Sequence, residues 1–262
     1  MEELTLAPAP PAGLVVRRAV GAGELVAFAE LYRHVFDDAA HGISPRLLSA
    51  MNTHSGVVIG AWEGERPVGF TYGFLAQEPQ TGRLYLYSQA AGVVADRRNS
   101  GVGRALKRAQ AEAALSAGVT LMRWSYDPLK SRNAHFNLDV LGGRARVFIP
   151  DFYGEEPHGL ATDRLIVDWE LAVPAGSRYE QWRGLPPAPT EPGHVVRSGD
   201  GRALLTVPED WPDHDRFTLR EARTLQGAVA AELTGLLADG YAAVSCRRVR
   251  PGRSAYLLVR DY

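Results

Sequence analysis

Apolar positions along the first two thirds of the chain switch repeatedly between a period of two and a period near 3.6. Leu14 to Arg18 reads as a strand, and the segment after it places Leu25, Phe28, Tyr32, Val35 and Phe36 on one helical face. Ser44-Pro45 supplies an N-cap residue followed by proline at the first helical position, and the helix it opens stops near Gly56. Val57 to Trp62 and Val68 to Leu75 are apolar runs separated by Glu63-Gly64-Glu65-Arg66-Pro67, which predicts a hairpin. Arg83 to Val94 is the next strand. From Gly101 to Ala117 the helical period returns, with Val102, Ala105, Leu106, Ala109 and Ala113 expected inward and Arg104, Lys107, Arg108 and Glu112 outward, stopped by Gly118. Val119 to Ser125 reads as a strand, Ser131 to Leu141 as a short helix ending at Gly142-Gly143, and Ala145 to Ile149 and Leu165 to Leu171 as two more strands. This order predicts an α/β (α+β) fold: a mixed, mostly antiparallel sheet with helices on both faces.

Composition then divides the chain. Residues 1–13 are Ala/Pro-rich and expected to be loose, and residues 14–172 form the first domain. Residues 173–199 carry Pro174, Pro186, Pro187, Pro189 and Pro192 in a polar setting and read as a linker. Residues 200–262 read as a small C-terminal βαββ unit. Its strand is Ala203 to Val207, and its helix, opened by the capping box Thr218-Leu219-Arg220-Glu221, runs to Asp239 with Ala222, Leu225, Val229, Leu233 and Leu236 on one face. Tyr241 to Val249 and Ser254 to Val259 complete it as a hairpin around Pro251-Gly252. A unit of that size is small for an isolated core, so it is expected to pack on the first domain or on a second subunit.

Net charge is −1, so the basic cluster at Arg97, Arg98, Arg104, Lys107 and Arg108 is local and speaks for a phosphate-sized target, not for nucleic acid or a membrane surface. Cys246 is the single cysteine, which excludes an intrachain disulfide and a cysteine-based zinc cluster. The histidines His34, His41, His54, His158, His194 and His214 show no metal-ligand spacing, and no metal is expected. With no apolar run long enough to span a bilayer and no signal-like layout in the first 13 residues, the expected location is cytoplasmic.

The chemistry concentrates at Arg98-Asn99-Ser100-Gly101-Val102-Gly103, which stands between a strand and a helix start. Backbone N–H groups there lack intrahelical partners, the helix dipole adds partial positive charge, and glycine lets an anion approach the main chain. It is not a P-loop, because G-x-x-x-x-G-K-[ST] is missing, and it fails the dinucleotide fingerprint because Arg104, Ala105 and Leu106 follow Gly103. A G-x-S-x-G elbow is likewise missing.

The run matches Q/R-x-x-G-x-G/A and closely resembles the acyl-CoA pyrophosphate loop of GNAT-superfamily N-acyltransferases, a resemblance that covers roughly Leu14 to Leu171. It implies acetyl-CoA or another acyl-CoA as co-substrate, held at Arg98, Asn99, Ser100, Gly101, Val102, Gly103 and Arg104. It also implies that the strand before the loop splays from its neighbour, pairs its main chain with the pantetheine arm at Gly92, Val93 and Val94, and aims an N–H at the thioester carbonyl. The superfamily's later helix usually carries a tyrosine that protonates the departing thiolate. Aligned on Ala134 and Leu141-Gly142, that position is Leu138 here. His135, Asn137 and Tyr126 are the substitutes within a turn, Asn133 could hydrogen-bond the pantetheine, and Ser88 is the favoured polar contact for the substrate.

The implied activity is direct acyl transfer to a primary amine of a small molecule, with the C-terminal unit bordering the acceptor pocket or building a homodimer. The alternative is a binding or sensing module that keeps the cofactor cleft without turnover, which Leu138 and the lack of Asp or Glu on the central strand would suit.

Overall fold

The computed structural model describes residues 11, 13–36, 42–54, 56–154, 159–173, 180–211 and 217–260. They form two compact units: residues 1–123 with 170–174, and residues 124–169 with 175–262.

In the first unit, β1 (Leu14–Arg18), β2 (Gly56–Glu63), β3 (Arg66–Gln77) and β4 (Leu84–Val93) follow one another as an antiparallel meander, and β5 (Leu121–Tyr126) begins parallel to β4. Helices α1 (Gly21–Phe36) and α2 (Pro45–Thr53) precede β2, and α3 (Val102–Ser116) connects β4 to β5. Side chains alternate across the sheet, so α1 and α3 cover opposite faces. A Cβ on Gly69 would meet Leu106 and Val102 of α3, whereas its neighbour Phe70 packs against the rings of Phe28, Tyr32 and Phe36 of α1. The predicted strands and helices are all present here, with ends shifted by a few residues.

The second unit contains α4 (Ser131–His135), which widens into a π turn over Phe136–Val140, and β6 (Arg144–Ile149) paired antiparallel with β7 (Arg164–Glu170). Strand β8 (Val195–Ser198), β9 (Arg202–Pro208), helix α5 (Leu219–Ala238), β10 (Tyr241–Arg250) and β11 (Arg253–Arg260) complete it. Its strand order β7-β6-β10-β11-β9-β8 places β10 beside β6, with Ala243 opposite Ala145. The capping box at the start of α5 is formed: Thr218 Oγ1 accepts from the Glu221 N–H, and the Thr218 N–H donates to the Glu221 carboxylate.

Two features depart from the sequence reading. The compact division falls inside β5, because the β6–β10 pairing draws the βαββ elements into one unit with residues expected in the first domain. The proline-rich stretch is also more than a connection. Trp182 and Leu185 pack against Leu204, Ala242, Val244, Ala255 and Leu257, and Ala188 is buried with them. Trp182 donates Nε1–H to Ser245 Oγ at 2.9 Å, and Val195–Ser198 pairs with β9 as an edge strand. Helix α5 packs on β6, β9 and β10, so by strand alternation the residues around Trp182 cover the opposite face of this sheet.

Leu257 is fully buried in that cluster. Leu257→Ala is expected to destabilise the fold by about 2–5 kcal/mol through lost transfer energy and the cavity left behind, read as a lower urea midpoint at unchanged slope.

Candidate functional site

Strand β4 pairs with β3 along its whole length but with β5 only at Leu86↔Met122 and Tyr87↔Arg123. Opposite β3 it carries one extra residue, Gln89, because Gly73 faces Ser88 and Tyr72 faces Ala90. Such a bulge bends a strand and increases its local twist. It lies just beyond the last β4–β5 pair, so the pairing with β5 ends where β4 bends. Past the bulge, Val94 donates its N–H to the Val68 carbonyl at 3.0 Å. In an antiparallel ladder the residues on either side of a hydrogen-bonded one turn their groups the other way, so Val93 and Ala91 direct N–H and C=O away from β3. Arg98 Nε, 3.4 Å from the Val93 carbonyl, marks that outward direction. Of the three expected strand contacts, Val93 therefore has an outward N–H, while Gly92 and Val94 face β3. Gly92 has no room for a side chain, since a Cβ would lie 2.8 Å from Phe70 and 3.0 Å from Val35.

The strand ends in a 3₁₀ turn over Ala95–Arg97, and the chain then enters α3 through Asn99 at φ +61° and Gly101 at φ +94°. Ser100 closes the turn by donating Oγ–H to the Arg97 carbonyl at 2.6 Å. The first helical bond is Ala105 N–H to Gly101 C=O at 3.0 Å. Among the described residues, the N–H groups of Ser100, Gly101, Val102, Gly103 and Arg104 have no backbone partner, and they cluster at the positive end of the α3 dipole. Left-handed residues alternating with right-handed or extended ones turn successive N–H groups inward, which makes a concave anion site. Coenzyme A fits this donor set: unspent amides for a pyrophosphate, and an open strand edge for an amide-bearing arm.

The basic residues divide their work differently from the sequence reading. Arg97 binds Glu63 (Nε to Oε1 2.8 Å) and Asp96 (3.1 Å), and Arg66 chelates Asp96 with two 3.0 Å bonds, so this group stiffens the stem of the turn. The guanidinium of Arg97 holds the Glu63 carboxyl below its usual range. Arg98 and Arg104 form no ion pair among the described residues.

Lys107 is not outward. It is 4% exposed and donates from Nζ to Ser88 Oγ at 2.7 Å. Ser88, 3% exposed, donates to Gln110 Oε1 at 2.7 Å, and Thr71 Oγ1 stands 3.2 Å from the same oxygen and 2.9 Å from the Ala90 carbonyl. The inward face of α3 is thus Val102, Leu106, Lys107, Gln110, Ala111 and Ala114, rotated from the expected one. The small residues opposite account for the rotation: at Gly73 a Cβ would come within 3.0 Å of Gln110 Nε2, so glycine leaves space for polar side chains there. Ser88, the favoured substrate contact, is engaged inside this network.

The remaining candidates lie in the second unit. Asn133 is exposed and Asn137 is buried, its carbonyl accepting from the Gly143 N–H at 2.9 Å. His135, with a side chain 52% exposed, contacts the Cys246 carbonyl (2.9 Å) and Asp139 (3.3 Å) through Nδ1, and the Asp139 contact raises its pKa. Asp139 also accepts from Ser245 Oγ (2.6 Å), the Cys246 N–H (2.8 Å) and Arg247 Nε (3.0 Å). Leu138 and Cys246 are fully buried, and burial drives the Cys246 thiol well above its usual pKa. Tyr126 is buried too, and burial keeps its phenol neutral. Among the described residues no three His, Cys, Asp or Glu side chains converge as a metal site, and no helix is long and apolar enough to cross a membrane. His41, His158 and His214 lie outside the described residues.

No protein-family model and no curated protein matches the chain. Solved structures do. The yncA protein of Salmonella typhimurium, solved with its cofactor acetyl-CoA, aligns with a TM-score of 0.52 at 16% identity over 63% of this chain and 99% of its own. The ribosomal-protein-alanine N-acetyltransferase of Brucella melitensis gives 0.51 at 17% identity over 60% and 99%. The ribosomal-protein-S18-alanine N-acetyltransferase of Escherichia coli gives 0.50 at 13% over 63% and 97%. Over that segment the fold is GNAT-like. At these identities the likeness is one of architecture, and the chain's own residues must carry any statement about chemistry.

Burial lowers the pKa of Lys107 to about 7, against roughly 10.4 in an unfolded chain. Between those values the folded chain binds fewer protons than the unfolded one, so this residue makes stability rise with pH, by about 1.4 kcal/mol per unit where the difference is one full proton. Relative to Lys107→Met, the wild-type chain should therefore be less stable at pH 6 and regain ground from pH 7 to pH 10. Thermal melts of both proteins across that range check it, and parallel curves would refute it.

Proposed function

We propose that this chain is an acyl-CoA-dependent N-acyltransferase, of the acetyltransferase kind, that acylates a primary amine of a small molecule by direct attack on the thioester. The observation that carries the reading is the continuity of two sets of unspent amides: the outward N–H groups of Ala91 and Val93 on β4, and those from Ser100 to Arg104. Arg98 and Arg104 supply charge-assisted contacts to phosphate, and the Val93 N–H is the donor best placed to stabilise negative charge on the attacked carbonyl oxygen. A fixed donor of that kind can contribute about 3 kcal/mol to the transition state. The thioester brings the acyl group and a leaving thiol whose reference pKa is about 8.5, so a protein acid is helpful to departure without being indispensable.

The acceptor amine must lose a proton, and β4 offers no Asp or Glu for it, which leaves water as the first acceptor. Cys246 takes no part in this reading: its thiol is buried and held protonated, so an acyl-enzyme on it is disfavoured. A second reading, an acyl-CoA-binding or sensing module, is favoured by one observation. Leu138, at the position of the superfamily's tyrosine, is fully buried and carries no proton to give.

Calorimetric titration with coenzyme A tests the site. Gly101→Asp should abolish binding by placing a carboxylate among the amides, and Arg98→Ala should weaken it by about 1.5–3 kcal/mol. Unchanged affinity in folded Gly101→Asp protein would falsify the loop assignment.

Release of free thiol from acetyl-CoA and longer acyl-CoAs, across amino acids, amino sugars and polyamines, separates the two readings. Transfer is expected to track one amine and to rise with pH as that amine deprotonates, with Cys246→Ser leaving turnover nearly unchanged. Tight binding without release for any acceptor would favour the sensor.

A further inference from the structure

The bulge at Gln89 decides which amides of β4 face outward. Side-chain and backbone direction in a strand alternate with a period of two, so loss of the extra residue would shift the pairing of Ala90 to Val93 by one and reverse them. Ala91 and Val93 would then turn to β3, and Ala90 and Gly92 would turn out. Gly92 could not move without consequence, since its present place under Phe70 and Val35 admits no side chain and any neighbour brought there would clash. A bulge is a local disruption of the ladder, and something must hold it against the regular alternative.

Side chains grip it on both sides. Before it, Ser88 Oγ is bonded to Lys107 Nζ and Gln110 Oε1, each at 2.7 Å. After it, the Ala90 carbonyl accepts from Thr71 Oγ1 at 2.9 Å, and Thr71 meets the same Gln110 oxygen at 3.2 Å. The two gripping residues of α3 stand in the helix whose first turn carries the unspent amides. An apolar side chain of similar volume at 107 would avoid the desolvation of an amine and preserve the packing, so what lysine adds is a polar head, and that head donates to Ser88 beside the bulge. We infer that Lys107, acting through Ser88, is a positioning residue that pins the β4 bulge and thereby keeps the Ala91 and Val93 edge set for the pantetheine arm of acyl-CoA. This rests on the acyl-CoA reading above. It adds a division of labour within that site: the turn holds the pyrophosphate unaided, and the buried network governs only what lies along the strand.

Two probes separate those parts. Adenosine 3′-phosphate 5′-diphosphate carries the phosphates of coenzyme A without its pantetheine. In Lys107→Met, affinity for coenzyme A should fall about tenfold while affinity for the nucleotide stays within about twofold of wild type. Ser88→Ala, a smaller change, should show the same split, and the double variant should lose little more than Ser88→Ala alone, because Lys107 acts through Ser88. An equal loss for both probes in the two single variants would mean general damage and would overturn the inference, as would full retention of coenzyme A binding. Wild-type protein that binds neither probe would sink the acyl-CoA reading itself, and the inference with it. Wild-type protein that binds both, with variants that keep both, would sink the inference alone.

Discussion

A β-strand has two edges of backbone donors and acceptors, and in β4 only one is fully used. Its pairing with β3 runs from Gln77↔Leu84 to Gly69↔Val93, whereas its pairing with β5 is confined to two residues. Backbone groups left without partners are costly when buried, so an edge like this is kept only where water or a ligand satisfies it. The turn that follows has the same property: five successive N–H groups at a helix start, none spent on the backbone of the described residues. Phe70 and Val35 close over Gly92 from the α1 face, and the Glu63, Arg66, Asp96 and Arg97 ion pairs brace the stem of the turn.

Those ion pairs are exposed, and exposed pairs contribute little to stability one by one. Their value here is geometric. Arg97 is bound to carboxylates on both sides, whereas Arg98 and Arg104 form no ion pair among the described residues. A count of basic residues in the sequence could not make that distinction, because Arg97 and Arg98 are adjacent and chemically identical. What separates them is the 3₁₀ turn, which sends one back toward Glu63 at the end of β2 and the other toward the Val93 carbonyl.

Much of the architecture was legible because it is written in local rules. Gly101 at φ +94° is where the glycine was needed, the proline at the start of α2 and the capping box of α5 mark helix starts as expected, and the β2–β3 hairpin turns where charge and glycine interrupt two apolar runs. What stayed hidden depends on partners distant in sequence. Lys107 reads as a surface residue until Gly73 and Ser88 are seen to make room and a bond for it. Strand β8 has two valines and no periodicity of its own, and it exists because β9 offers an edge. Trp182 and Leu185 sit among prolines that suggest an extended tether, yet they cover an apolar sheet face that would otherwise be bare.

The same contrast bears on the candidates of the second unit. His135 and Asn137 were attractive because they flank the position where a tyrosine would stand, but neighbourhood in sequence is not availability. Asp139 collects donors from Ser245, the Cys246 amide, Arg247 and His135, and a carboxylate with that many donors is held ionised. The first effect on His135 is to favour its protonated form, and its Nδ1 contacts tie α4 to β10 before they do anything else. A general acid must give its proton up in the transition state, and each bond that holds the proton raises the cost of doing so. If a thiolate departs from this protein without a tyrosine, the low basicity of the thiolate is therefore a better explanation than the histidine.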